Sequence, residues 1–144
     1  MSATPTEIVE SFIDAWNRMD WDAVIDALAE DVIYHNIPME KLEGKQAATA
    51  FITGMQPEGV DWETLSIAAT GNKVLTERID RFDLAGGKKI DLPVMGTFEI
   101  ENGKIKAWRD YFDLQTFMSQ MLTLYQITEA LLVGYFVTKF WHLP

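Results

Sequence analysis

From Lys88 to Glu101 the chain alternates without a break. Ile90, Leu92, Val94, Gly96, Phe98 and Ile100 take every second position and carry no charge, while Lys89, Asp91 and Glu99 fall between them. Successive side chains of a strand point to opposite faces, so this stretch is a strand with one face in an apolar interior and the other in water. Similar segments flank it at about 60–69, 73–84 and 104–112, set off by Gly71-Asn72, Ala85-Gly86-Gly87 and Glu101-Asn102-Gly103. The spacing predicts an antiparallel meander.

Helical signals lie on either side of it. Thr4, Pro5 and Glu7 supply a cap, a first-turn proline and a capping-box glutamate, followed by Ile8, Phe12, Trp16 and Met19 at helical spacing. Asp20 can cap a short second helix with Val24, Ile25 and Leu28, and Asp31 to Asn36 then alternates as a strand. Gly44 to Met55 reads as a third helix. Asp113 can cap a last one through Leu114, Phe117, Met121 and Leu124. Helices before and after a sheet make an α+β fold, and the absence of repeats or Ser/Pro-rich linkers predicts one domain over residues 1–144.

Composition narrows the chemistry. A 144-residue chain that is 48% hydrophobic and 12% aromatic is not disordered, and a net charge of -10 argues against nucleic acid and anionic lipid. With no cysteine there is no thiolate nucleophile or Cys-based zinc site, and the two histidines, His35 and His142, make a metal centre a poor expectation. The start Met-Ser-Ala-Thr-Pro lacks the pattern of an export signal, so a cytoplasmic location is expected. The apolar stretch Leu131 to Trp141 falls short of the roughly 20 residues that span a bilayer. It is expected to be a core or interface helix.

Register decides which polar residues meet. With three-residue loops at Ala85-Gly86-Gly87 and at Glu101-Asn102-Gly103, Arg78 faces Val94, Asp80 faces Leu92 and Asp110 faces Val94 from the other side. The even-numbered side chains then share the apolar face, and a guanidinium reaching over Val94 can cross the roughly 10 Å of two strand spacings. A two-residue Asn102-Gly103 turn would instead carry Asp110 to the opposite face. Two carboxylates beside one arginine in an apolar site hold one proton between them more readily than both ionise. The neutral member can protonate a leaving oxygen while the anionic member takes a proton from water. Tyr34 and Asn36, two apart on a strand, can hold that water.

Each element also has a plainer reading. An Arg-x-Asp on a strand is usually a solvated ion pair, a strand tyrosine is commonly half-buried, and Trp16, Phe98 and Phe117 suit a core. Gly96 fits a bulge, or a floor on which Trp108 lies flat.

Taken together, Tyr34-His35-Asn36, Glu77-Arg78-Ile79-Asp80 and Trp108-Arg109-Asp110-Tyr111-Phe112-Asp113 make the chain resemble the limonene-1,2-epoxide hydrolase family over nearly its whole length. The likeness includes Leu92-Pro93-Val94-Met95-Gly96-Thr97-Phe98. It implies a homodimer of cone-shaped subunits, each with a curved, mixed, largely antiparallel sheet, N-terminal helices and a C-terminal helix around a deep apolar pocket. It also implies cofactor-free, one-step opening of a small apolar epoxide by water to a vicinal diol. On this resemblance Asp80 is the acid, Asp110 the base, Arg78 the bridge between them, and Tyr34 and Asn36 the water-holding pair. Leu92, Val94, Phe112 and Phe117 fall on pocket-lining positions, with Met39, Phe82 and Trp108 counted beside them.

Two rivals share the fold: a ketosteroid-isomerase-like or polyketide-cyclase-like enzyme, and a non-catalytic pocket for an apolar ligand. An isomerase needs a neutral oxyanion hole, whereas Arg78 between two carboxylates anchors ions. A binding protein has no use for three buried ionisable groups, which cost several kcal/mol.

Overall fold

Thr4 and Glu7 close a reciprocal capping box, with Glu7 N donating to Thr4 Oγ1 at 3.2 Å and Thr4 N to Glu7 Oε2 at 2.8 Å. Two orphan donors at the start of α1 (Pro5–Asn17) are satisfied in this way. The apolar stripe of α1 buries Val9, Phe12, Ile13 and Trp16. Asp20 caps α2 (Trp21–Asp26) through the Ala23 amide, and Asp113 caps α4 (Leu114–Met121) through that of Thr116. Between them α3 (Lys45–Met55) starts at Gly44, whose φ of +90° suits a residue without a side chain. The computed structural model describes residues 2–122, so the expectations for Leu124 and for the apolar segment 131–141 lie outside the described residues.

Six strands, β1 (Leu28–Asn36), β2 (Leu42–Glu43), β3 (Gly59–Thr70), β4 (Lys73–Leu84), β5 (Lys88–Glu101) and β6 (Lys104–Tyr111), form one sheet. Their order is β2-β1-β6-β5-β4-β3. From β3 to β6 the sheet is the expected antiparallel meander, whereas β1 lies parallel to β6. The fold is a mixed α+β arrangement with a curled, mostly antiparallel sheet. No helix among the described residues is long and apolar enough to cross a membrane.

The β4–β5 ladder matches the register read from the three-residue loop: Leu84 pairs with Lys88, Asp80 with Leu92 and Arg78 with Val94. The β5–β6 ladder corrects it. Glu101 pairs with Lys104, so the turn is the two-residue Asn102-Gly103, both residues having positive φ at 52° and 74°. Beyond it, Ile100 pairs with Ile105 but Glu99 pairs with Ala107, leaving Lys106 as the extra residue of a bulge. The bulge undoes the change of face that the short turn imposes. Asp110 therefore stays with the even-numbered residues of β5, opposite Gly96 and not Val94.

That inner face carries the core in two parts. Phe98, Ile100, Val74, Ile105 and Trp108 pack against α1 and its neighbours, with Phe12, Trp16, Phe98 and Trp108 at most 1% exposed. Burying each of these rings contributes up to about 3 kcal/mol. Ile90, Leu92 and Val94 form a second cluster with Phe82, Leu84, Phe112, Phe117 and Met121 from the strand ends and α4. The polar residues of the face occur where these two clusters meet along β4 and β5.

Candidate active site

Alternation along β4 puts Thr76, Arg78 and Asp80 side by side on the inner face, 1%, 0% and 4% exposed. Asp110, 4% exposed, comes from β6. The two strands lie on either side of β5, and the guanidinium spans the gap. Arg78 Nε donates to Asp80 Oδ1 at 2.9 Å and Nη2 to Asp80 Oδ2 at 2.8 Å, a planar bidentate pair. The same Nη2 donates to Asp110 Oδ1 at 3.1 Å, and Nη1 donates to Thr76 Oγ1 at 2.8 Å.

Crossing β5 is possible because Gly96 has no side chain. A Cβ at that position would stand 2.2 Å from Arg78 Nη1 and 2.9 Å from Asp110 Oδ1. The floor expected for Trp108 is therefore occupied by the guanidinium. Trp108 pairs with Phe98 instead and lies between its ring and that of Tyr34, in near-parallel stacks of 5.9 and 4.0 Å. The cation lies over Trp62, whose ring centroid is 4.8 Å from Arg78 Cζ. The indole N–H groups of Trp16, Trp62 and Trp108 have no acceptor among the described residues, so this wall carries unused donors.

The parallel β1–β6 ladder brings the third group in. Tyr34 pairs with Trp108 and Asn36 with Asp110, and Asn36 Nδ2 donates to the Tyr34 hydroxyl at 2.9 Å. Both reach the end of the site where Asp110 stands. Among the apolar residues singled out from the sequence, Phe82, Leu92, Val94, Phe112 and Phe117 come together in the cluster beside Asp80. Trp108 is in the main core, and Met39 is 37% exposed in the turn after β1. Two shallow surface depressions, of about 170 and 180 Å³, are lined by neither Asp80 nor Asp110, although Arg78 and Val94 border the second.

Burial sets the electrostatics. It raises the Asp80 carboxyl to about 6 from its ordinary 3.8, against the opposing pull of Arg78, and the charge of Asp110 raises it further. Burial works against the Arg78 charge, but Asp110 and Asp80 outweigh it, so its pKa rises and the guanidinium stays ionised. Tyr34 is raised by burial and by the nearby Asp110, and its hydroxyl stays neutral. With one cation against two carboxylates, a single shared proton makes the cluster neutral. The result is two carboxylates held on one guanidinium nitrogen. Among the described residues no group of three or more His, Cys, Asp and Glu side chains could hold a metal ion.

The residues 3–123 match the model of the limonene-1,2-epoxide hydrolase catalytic domain. The chain belongs to the limonene-1,2-epoxide hydrolase family. It is 34% identical over 115 residues to epoxide hydrolase EphG of Mycobacterium tuberculosis (strain ATCC 25618 / H37Rv), covering 79% of this chain and 76% of that one. The solved structure of an M. tuberculosis LEH-like epoxide hydrolase superposes with a TM-score of 0.74 at 32% identity, over 90% of this chain and 96% of that chain. A putative polyketide cyclase from Pseudomonas putida KT2440 matches with a TM-score of 0.70 at 26% identity, over 83% and 98% of the two chains. As a member of the limonene-1,2-epoxide hydrolase family, the protein is an epoxide hydrolase.

Two members of the cluster escape a reading of the sequence. Thr76 looks like an ordinary β-branched strand residue, and only its i, i+2 relation to Arg78 hints at a contact. Gly96 stands out as a glycine inside a strand, a mark of close approach, but nothing local says that the approaching group is Arg78.

Proposed function

We propose that this epoxide hydrolase opens a small apolar epoxide to a vicinal diol in one step, with water as nucleophile and without a cofactor. The observation that carries the reading is the sharing of Arg78 Nη2 between Asp80 Oδ2 and Asp110 Oδ1, at 2.8 and 3.1 Å. Protonated Asp80 gives its proton to the epoxide oxygen as the carbon–oxygen bond breaks. Water, held by the Tyr34 hydroxyl and Asn36, attacks the carbon from the opposite side and loses a proton to Asp110. The proton gained by Asp110 must return to Asp80 before the next turnover. Arg78 stays charged throughout and keeps both carboxylates in place.

The apolar wall of Leu92, Val94, Phe82, Phe112 and Phe117 beside Asp80 supports a hydrocarbon ring or chain as the rest of the substrate. The charge balance supports the absence of a cofactor, since the cluster itself supplies both proton transfers. Assembly as a homodimer belongs to the same proposal, and sedimentation equilibrium tests it.

Cyclohexene oxide and limonene oxide, incubated with the purified protein in chelator-treated buffer, should give diols. A dependence on added divalent metal would overturn the cofactor-free step. No diol from either epoxide, with isomerisation of a β,γ-enone instead, would transfer the site to carbon-acid chemistry.

A further inference from the structure

The Arg78 guanidinium has three edges, and the mechanism uses two. Nε and Nη2 serve Asp80 and Asp110, while Nη1 donates to Thr76 Oγ1 at 2.8 Å. Thr76 is 1% exposed and pairs with Gly96 across the β4–β5 ladder. A Cβ on Gly96 would lie 2.2 Å from Nη1 and 2.8 Å from Thr76 Oγ1, so the bond between them runs through space that any other residue would fill.

We propose that Thr76 is a positioning residue for the epoxide-opening step, its hydroxyl holding Arg78 from behind, across the slot at Gly96, so that Nη2 remains shared between Asp80 and Asp110. The proposal rests on the one-step reading of the site. A bidentate pair fixes the guanidinium plane relative to Asp80 but leaves the long bond to Asp110, at 3.1 Å, free to open by a small tilt. The Thr76 bond opposes that tilt. Without it a buried N–H loses its side-chain acceptor and the cation is drawn toward whichever partner restores the bond.

Gly96→Ala can unfold the chain as readily as disable it, so the test uses Thr76→Val, which keeps the shape and loses the acceptor, and Thr76→Ser, which keeps the acceptor. On cyclohexene oxide, Thr76→Val should lower kcat by about 10-fold or more, with KM little changed and the pH–rate profile displaced. Thr76→Ser should stay within about 3-fold of wild type with the same profile. In parallel, carbon-13 NMR follows the carboxyl titrations of Asp80 and Asp110 in the folded proteins. Thr76→Val should shift them and Thr76→Ser should not. Wild-type kcat and titrations in Thr76→Val, or equal impairment in both variants, would overturn the proposal. Should the wild type turn over no epoxide, the one-step reading fails by itself, and the carboxyl titrations still decide whether Thr76 positions Arg78.

Discussion

Asp80 grips Arg78 by two parallel hydrogen bonds, Nε to Oδ1 and Nη2 to Oδ2, at 2.9 and 2.8 Å. Such a fork requires a planar donor. Arg78→Lys keeps the charge but offers a point cation that cannot serve Asp80, Asp110 and Thr76 together, and turnover should fall by at least about 100-fold. Circular dichroism and thermal melts show whether the variant is folded, and near wild-type turnover in a folded Lys variant would remove the bridging role.

In the proposed mechanism the two carboxylates have separate tasks, each of which an amide cannot perform. Asp80→Asn and Asp110→Asn should each lower kcat by about 100-fold or more while the protein stays folded. Asp80→Asn leaves Arg78 paired with Asp110, a neutral set, so its stability near pH 7 should be no worse than modestly reduced. Retention of substantial activity in either variant would show that the proton comes from or goes to another group.

The rate should be bell-shaped in pH. As an acid Asp80 must carry its proton, and with its carboxyl raised to about 6 the free enzyme should lose kcat/KM as pH climbs past that value. At the other end the rate falls when the base Asp110 takes up a proton. A rate that keeps rising from pH 6 to pH 9 would contradict an acid with this titration.

The same shift makes a statement about folding. The Asp80 carboxyl binds its proton more tightly in the folded chain, at about 6, than in the unfolded one, at about 3.8. Its contribution is fully present below the lower value and is lost as pH rises through the upper, by at most about 3 kcal/mol. Urea denaturation of wild type and Asp80→Asn between pH 3.5 and 7 follows it, because the carboxylates outside the Arg78 cluster are common to both. The wild type should lose stability relative to the variant across that window, and parallel curves would mean that burial does not raise Asp80.

Direct attack by water differs from a covalent route in where the new oxygen first appears. With enzyme in excess in oxygen-18 water, a single turnover should give labelled diol and leave the aspartates unlabelled. An aspartyl ester would need a second activated water, for which the site has no histidine among the described residues: His35 bonds the Met39 carbonyl in the turn after β1. Unlabelled first-turnover diol, with label recovered later in Asp80 or Asp110, would replace the one-step mechanism.

The β4 half of the site was legible because its ladder has no irregularity: Ala85-Gly86-Gly87 sets Arg78 and Asp80 opposite Val94 and Leu92, and alternation does the rest. The β6 half was only partly so. Reading Glu101-Asn102-Gly103 as a three-residue loop puts Asp110 on the correct face but opposite Val94, whereas the short turn and the bulge together put it opposite Gly96. A bulge leaves little trace in sequence, since Lys106 can extend into water from either arrangement. The β1–β6 pairing brings Asn36 to Asp110 over more than seventy residues, and no local pattern specifies a parallel neighbour at that distance. Thr76 was missed because its value lies in what Arg78 does, not in its own propensity.

Lys106 also acts as a proofreader of the hairpin. Were β6 to continue in the register of its turn, with no residue bulged out, Arg109 and not Asp110 would come to rest opposite Gly96. Two guanidinium groups would then crowd a dry space beside a single carboxylate, and Ala107 would leave a hole opposite Glu99's neighbour Phe98, where Trp108 belongs. The misregistered chain is thus penalised twice, by like-charge repulsion and by a void, and Asp110 finds its place through the failure of the residue before it.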